Sequence, residues 1–295
     1  MGKVKSWIEA MRLRTLPVSV AGVIAGTGVA GAYERFEWLP ATICLLFAVM
    51  AQIVSNFANE YFDFRNGLDK KGREGFRRGV TEGDITPKAM GRATFGLLAL
   101  TCLTGCTLII WGGWQLIPVG ILIALFALGY STGPYPLSHH GLGDLAVVIF
   151  FGLVPVFFTA YVQVQSTAIW PLATAIGVAV GLMAANVLIV NNYRDYDDDR
   201  EVGKRTTVVI FGRKAMSTVY LINGFIAAAI TVIATFHLIK DIYQIGALFY
   251  VNENFRLWQE IKESKGAALN PLLGKTAMVL LVFSAWIAFT LFIKC

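Results

Sequence analysis

The sequence predicts an all-α integral membrane protein of about nine transmembrane helices with a cytoplasmic N-terminus. Three observations lead there. Of the 295 residues, 56% are hydrophobic and only 15% charged, with a mean hydropathy of +0.62, and no soluble domain of this size buries that much apolar surface. Apolar stretches close to the ~20 residues that cross a ~30 Å hydrocarbon core as helix recur along the whole sequence. The loops between them alternate in Lys and Arg content, as the preference for positive charge on the cytoplasmic side requires. No stretch is left for a separate soluble unit, so residues 1–295 read as one transmembrane domain.

Along the chain, apolar windows and breakers place spans at about 16–33, 39–61, 89–110, 114–130, 143–163, 169–190, 214–237, 241–258 and 273–293. The first ~15 residues, with Lys3, Lys5, Arg12 and Arg14, read as a retained basic amphipathic lead-in, because no short apolar core followed by a small-residue cleavage pattern is present. The eighth window is interrupted by Asn252, Glu253, Asn254 and Arg256 and is expected to be partly interfacial. Loops after spans 2, 6 and 8 hold nearly all the loop Lys and Arg, whereas the opposite loops contribute Arg35 and Lys240. The net charge of +6 therefore reports orientation rather than nucleic-acid binding. Cys44, Cys102 and Cys106 lie inside apolar runs, which argues against a disulfide framework and leaves Cys102 and Cys106 as small core residues.

The informative strings sit at the ends of spans 2 and 6: NEYFDFRNGLDKKGREGFRRG, with Asn59, Asp63 and Asp69, and NNYRDYDDDREVGKRT, with Asn191, Asp195 and Asp199. In each, an Asn precedes an Asp by four residues, placing both side chains on one helical face. The two Asn and the two Asp are each 132 residues apart, so the clusters share a helical phase on spans running in the same direction. A parallel repeat around a central cavity follows. Asp199 continues its face at i+8, whereas Asp69 needs the chain to turn back, which Asn66–Gly67 permits as a left-handed helix end.

Gathered carboxylates near a membrane surface repel one another unless a cation compensates them. Oxygen ligands without His or Cys favour Mg²⁺, which keeps positions for water or substrate phosphate, so the expected partner is a diphosphate. Basic residues follow each cluster: Arg65, Lys70, Lys71, Arg73, Arg77 and Arg78, then Arg194, Arg200, Lys204 and Arg205. Two readings stand, a grip on phosphate oxygens and simple obedience to the positive-inside rule; Arg78 and Lys204 rank first for the grip, with Arg73, Arg77 and Arg200 behind.

At these residues the chain resembles the UbiA superfamily of intramembrane prenyltransferases, whose mark is one Asn/Asp-rich motif after the second helix and another after the sixth. RLRTLPVSVAGVIAG, NEYFDFRNGLD, YSTGPYPLSHHGLGD and NNYRDYDDDREVGKRT carry the resemblance, which spans nearly the whole chain and is strongest toward the menaquinone branch. Glu60 departs from the Asp that many relatives place after the motif Asn, leaving its part in metal binding open. The resemblance implies a nine-helix bundle around a cavity that opens laterally to lipid, in the plasma membrane with the site toward the cytoplasm. It further implies Mg²⁺ as cofactor held by Asn59, Asp63, Asp69, Asn191, Asp195 and Asp199. The implied reaction transfers a polyprenyl chain from polyprenyl diphosphate to 1,4-dihydroxy-2-naphthoate, with loss of carbon dioxide and pyrophosphate, to give demethylmenaquinone.

The acceptor carboxylate calls for a cation or hydrogen-bonding partner, for which Arg12, Arg14, Tyr130, His139 and His140 are candidates. The adjacent histidines read either as a base or as exposed loop residues, the second being favoured, and Gly133, Pro134 and Pro136 suggest a shaped turn capping the cavity. Two other readings are a prenyltransferase acting on 4-hydroxybenzoate or another acceptor, and a cation transporter. The second of these expects carboxylates near mid-membrane in broken helices rather than at the ends of same-direction spans.

Overall fold

The computed structural model describes residues 2–72, 75–238 and 241–293, and among them the chain is helical with no strand. Helix α1 (Lys3–Met11) stops at Arg12, whose backbone is left-handed at φ 52 and ψ 54, and a 3₁₀ turn leads into α2 (Leu16–Ala32). Then follow α3 (Trp38–Arg65), α4 (Pro87–Thr107), the short α5 (Ile109–Gly112) and α6 (Leu116–Gly129). Helix α7 (Gly143–Val147) runs through a π-helical segment, Val148–Leu153, into α8 (Val154–Val164). The second half contains α9 (Trp170–Arg194), α10 (Tyr196–Glu201), α11 (Thr207–Thr235), α12 (Asp241–Glu263) and α13 (Asn270–Phe292).

Local sequence sets the helix starts. Proline occupies the first turn of α2, α4, α9 and α13, where a missing N–H costs nothing. Thr86 and Thr206 cap α4 and α11 through their hydroxyls, accepting from Ala89 N at 3.2 Å and Val209 N at 3.3 Å. Helix α11 begins seven residues before the apolar window starting at 214, because the Thr206 cap starts a short helical run over Val208–Phe211, and the backbone then kinks at Gly212 (φ 83, ψ 157).

Among the described residues, seven helical segments are long and apolar enough to cross a membrane, and the protein is an integral membrane protein. Two expected spans fall outside this set. Helix α6 is apolar but only 14 residues long, and α12 is continuous over 23 residues but too polar to qualify. The polar residues of α12 find partners: Asn254 accepts from Asn186 Nδ2 at 3.3 Å, and Arg256 and Lys275 both pair with Glu260.

Helix α9 is the central element, with most of its apolar window buried, whereas α3 and α4 are mostly uncovered by protein. Their outward side chains, such as Leu46, Leu100 and Leu103, form an apolar exterior suited to lipid. Small residues bring the central helices together, as expected where lipid removes the hydrophobic drive between helices. A Cβ on Gly28 of α2 would lie 2.4 Å from Ala288 Cα of α13, and one on Gly152 would lie 2.3 Å from Gly177 O and 2.4 Å from Gly181 Cα.

Gly152→Val forces backbone apart at the α9 contact and should cost more than about 2 kcal/mol, read as a lower thermal midpoint in detergent. Gly96→Ala, where an added Cβ meets nothing within 4 Å, should leave the midpoint unchanged or raise it slightly.

Candidate active site

The two Asn/Asp strings end α3 and α9 and are delivered to one polar cavity of about 170 Å³, lined by Asn59, Asp63, Asn191, Asp195, Asp199, Arg12, Arg78 and Lys204 among others. Both acidic ends are shaped by glycine. Gly67 takes φ +68 and allows Leu68 N to bond Asp63 O at 2.9 Å, while Gly203 takes φ +74 and allows Lys204 N to bond Asp199 O at 2.8 Å. The first turn swings Asp69 back, so that its Oδ2 lies 3.6 Å from Arg78 Nε. The second aims Lys204 across the cavity at Asp63. The expected unbroken face of Asn191, Asp195 and Asp199 is divided, since α9 ends at Arg194 and α10 restarts after Asp195; the Asp199 N to Asp195 O bond of 2.8 Å keeps Asp199 one turn on, and it is buried.

Asn59 Oδ1 accepts from Arg12 Nη2 at 2.7 Å and Arg78 Nη2 at 2.8 Å, while its amide donates to Ser131 Oγ at 2.9 Å. Asp63 has no exposed surface; its Oδ2 receives Lys204 Nζ at 3.0 Å, with Arg78 Nη2 at 3.9 Å. In the second cluster the buried Arg194 spans both motif residues, donating to Asn191 Oδ1 at 2.9 Å and to Asp195 at 2.7 and 2.8 Å, with a further bond to Asn270 Oδ1 at 2.9 Å. Each acidic cluster is thus neutralised by guanidinium and ammonium groups.

The other expected contacts are distributed differently. Arg14 is exposed, with its guanidinium over the Phe76 ring at 5.0 Å, and Arg194 lies over the same ring at 5.1 Å. Arg77 pairs with Asp84, and Arg200 is exposed; neither lines the cavity. Arg73 lies outside the described residues. Tyr130 lines the cavity, and its carbonyl accepts from Ser138 N and Oγ at 3.1 and 2.7 Å, which forms the expected shaped turn.

The histidine pair is a correction to the sequence reading. His140 stacks on Tyr135 at 3.7 Å, but the His139 side chain is only 15% exposed and points its Nε2 at Asp63 Oδ1, 4.0 Å away. Burial, aided by the Lys204 ammonium, lowers the His139 pKa and favours the neutral imidazole. Sequence reasoning also passed over Phe76 and Ser131, which carry no titratable signal, and took Arg194 as a loop cation although it is buried between motif residues.

A second cavity, of about 400 Å³ and almost wholly apolar, lies between α2, α3, α4, α6 and α8. Gln52, Ser55, Phe126 and Phe151 line both cavities, so the polar site directly adjoins an apolar chamber. Phe126 stacks on Phe150 at 4.0 Å at this junction, and Phe150 and Phe151 belong to the π-helical segment, whose extra residue per turn re-aims them.

Residues 19–273 match the model of the UbiA prenyltransferase family. The chain belongs to that family. It is 38% identical to the 1,4-dihydroxy-2-naphthoate octaprenyltransferase of Escherichia coli (strain K12), over 72% of this chain and 70% of that one. With the enzyme of the same name from Mycobacterium tuberculosis it shares 32% identity over 98% and 97% of the two chains. The fold resembles that of a UbiA homolog from Archaeoglobus fulgidus bound to GPP and Mg²⁺, at a TM-score of 0.67 and 15% identity, covering 97% of this chain and 99% of that one.

The donor set is compatible with a hard divalent ion. Asp63 Oδ1 is buried and has no hydrogen-bond partner, and the motif residues that line the cavity with it offer carboxylate and amide oxygens. Among the described residues no three His, Cys, Asp or Glu side chains gather closely enough to hold a metal alone.

Lys204→Ala removes the nearest cation from the fully buried Asp63. The metal-free variant should lose roughly 3 kcal/mol of stability, and added Mg²⁺ should recover part of the lost thermal midpoint. A variant that melts like the parent without Mg²⁺ would count against this pairing.

Proposed function

We propose that this UbiA-family prenyltransferase moves a polyprenyl group from its diphosphate to 1,4-dihydroxy-2-naphthoate, releasing pyrophosphate and carbon dioxide and giving demethylmenaquinone, first as its quinol. The observation that carries the reading is the junction of the two cavities: a cation-rich polar site suited to a diphosphate adjoins an apolar chamber suited to its hydrocarbon chain. The names of the relatives supply the acceptor.

In this reading Asn59, Asp63 and Asp69 at one helix end and Asn191, Asp195 and Asp199 at the other would each hold Mg²⁺, together with substrate phosphate. The ion supplies electrostatic neutralisation of the charge that grows on the leaving pyrophosphate. Arg78 and Lys204, with Arg12, bind the phosphate oxygens, turning from Asn59 and Asp63 toward the substrate; a guanidinium does so with a bidentate fork. Departure of pyrophosphate breaks the allylic C–O bond and leaves a cation at the junction. Phe126, Phe151 and Tyr130 line the site there and supply aromatic surface that attracts a cation and excludes water, the two requirements for sparing an allylic cation from hydrolysis. The acceptor ring forms the new C–C bond at the carbon bearing the carboxylate, and the electron pair of the breaking C–CO₂ bond restores aromaticity. Arg14, at the rim beside Phe76, serves the acceptor carboxylate.

The topology belongs to the same proposal. Residues 1–295 form a single domain of nine passes, with α6 as a short pass and α12 as a pass whose Asn254 is buried against the bundle. The basic loops carrying Arg78 and Lys204 mark the site as cytoplasmic, together with the N-terminus, in the plasma membrane.

The deciding assay supplies purified protein with a polyprenyl diphosphate and either 1,4-dihydroxy-2-naphthoate or 4-hydroxybenzoate, with and without Mg²⁺. Mg²⁺-dependent product from the naphthoate is expected, and product from 4-hydroxybenzoate alone would keep the transfer chemistry and replace the acceptor. Asp63→Ala and Asp195→Ala should each lower turnover at least about a thousandfold, equivalent to roughly 4 kcal/mol of barrier, in protein that remains inserted; near-normal turnover in either would remove that residue from the metal site.

Ala51 lines only the apolar chamber. Ala51→Phe should therefore slow transfer of long prenyl chains more than short ones, measured as the ratio of kcat/KM between two chain lengths.

A further inference from the structure

Glu60 follows Asn59 directly, so its side chain leaves α3 about 100° around the helix from the motif Asn. It is 1% exposed and does not line the polar cavity. Its Oε1 instead accepts from Val80 N at 2.9 Å, and the Gly79 amide also bonds the carboxylate. A buried carboxylate held by backbone amides is a strong anchor, because the amides lose their partner if it is removed.

What Glu60 anchors is a compact turn. Arg78 O accepts from Glu82 N at 3.0 Å, Gly79 O from Asp84 N and Ile85 N at 2.8 and 3.0 Å, and Val80 O from Gly83 N at 3.1 Å. Val80 and Ile85 are each 3% exposed and pack with Phe57 and Met90, and a Cβ on Gly79 would lie 2.9 Å from Ile85 Cδ1. Arg78 opens this turn, and its guanidinium reaches Asn59, Asp63 and Asp69 at 2.8, 3.9 and 3.6 Å.

We infer that Glu60 is a positioning residue: its carboxylate fixes the Gly79–Val80 backbone and thereby aims the Arg78 guanidinium across the Asn59–Asp63 face. The inference rests on the reading of Arg78 as a diphosphate contact. A longer carboxylate directly after the motif Asn serves the loop that grips phosphate and takes no place in the metal shell.

The test is steady-state kinetics with a polyprenyl diphosphate of the length turned over best. Glu60→Ala should raise its KM roughly tenfold or more while leaving the Mg²⁺ concentration for half-activation unchanged. Glu60→Gln, which retains an acceptor oxygen for Val80 N, should stay within about threefold of the parent. In the Arg78→Ala background, Glu60→Ala should add little. Glu60→Gln as impaired as Glu60→Ala with a raised Mg²⁺ requirement would make Glu60 a metal ligand and overturn the inference. So would a normal KM in Glu60→Ala, or fully additive losses in the double variant.

If Glu60→Ala does not accumulate, Glu60→Asp keeps the charge and shortens the reach: a raised KM at unchanged Mg²⁺ half-activation supports positioning, and an unchanged KM defeats it. Arg78→Ala alone leaving KM unaltered would defeat the diphosphate reading instead. The anchoring itself is then read separately, as faster amide hydrogen exchange at Gly79 and Val80 in the Glu60 variants; unchanged exchange there would defeat the anchoring too.

Discussion

The rest of the site depends on the burial of Asp63. A carboxylate with no exposed surface at the end of a membrane helix must be compensated inside the protein, since desolvation of an unpaired charge exceeds what a small bundle can tolerate. Compensation comes from two directions. Arg78 belongs to the loop after α3, and Lys204 to the loop after α10 in the other half of the chain. One charge therefore draws together both loops, the second through a lysine 141 residues from Asp63. A third loop joins them through the Arg205 N to His139 O bond of 3.1 Å and sets the His139 ring beside the same carboxylate. The cations that stabilise the resting cluster are the ones a phosphate would attract, so folding and binding draw on the same groups.

The membrane environment explains why the remainder of the bundle divides into a tight part and a hollow part. Where α2, α9, α13 and the π-helical segment meet, Gly28, Gly152, Gly177 and Gly181 allow backbones to touch, and van der Waals contact replaces the absent hydrophobic drive. Gly22 and Gly26 bring α2 equally close to Phe151 and Val156, but on the side toward α3, α4 and α6 the helices stand apart and enclose an apolar chamber. The tight part fixes the end of α9, and with it the second cluster, while the hollow part begins where the first cluster's helix passes Gln52 and Ser55. Polar side chains deep in the second half satisfy each other across helices, as Asn186, Asn223 and Asn254 do, so that buried amides add interhelical bonds.

Much of this was legible in the residue order. The i, i+4 spacing of Asn59 with Asp63 and of Asn191 with Asp195 fixed a common helical face, and Asn66–Gly67 announced the turn that returns Asp69. Less legible were groups whose role depends on side-chain direction. The basic loops were visible as loops, but that Arg78 and Lys204 enter the cavity while Arg77 turns to Asp84 and Arg200 remains exposed depends on the turns at Gly83 and Gly203. His139 looked like an exposed loop residue because its neighbours are Gly, Pro and Ser; a bond formed by its carbonyl, not its ring chemistry, brings it inward.

The sequence by itself determined that the chain lies in a membrane, that its halves carry matched oxygen-rich helix ends, and that these suit a hard cation with a phosphate. Those properties are local: hydropathy, residue type and helical phase need no knowledge of what packs against what. Only the tertiary structure decided that the polar site adjoins the apolar chamber at Phe126 and Phe151, that Arg194 bridges the second cluster, and that Glu60 faces the Gly79–Val80 turn. Each of these depends on which face of one helix meets another element far away in sequence. That choice follows from close packing of small residues and from pairing of buried charge, and neither has a period that a linear reading detects.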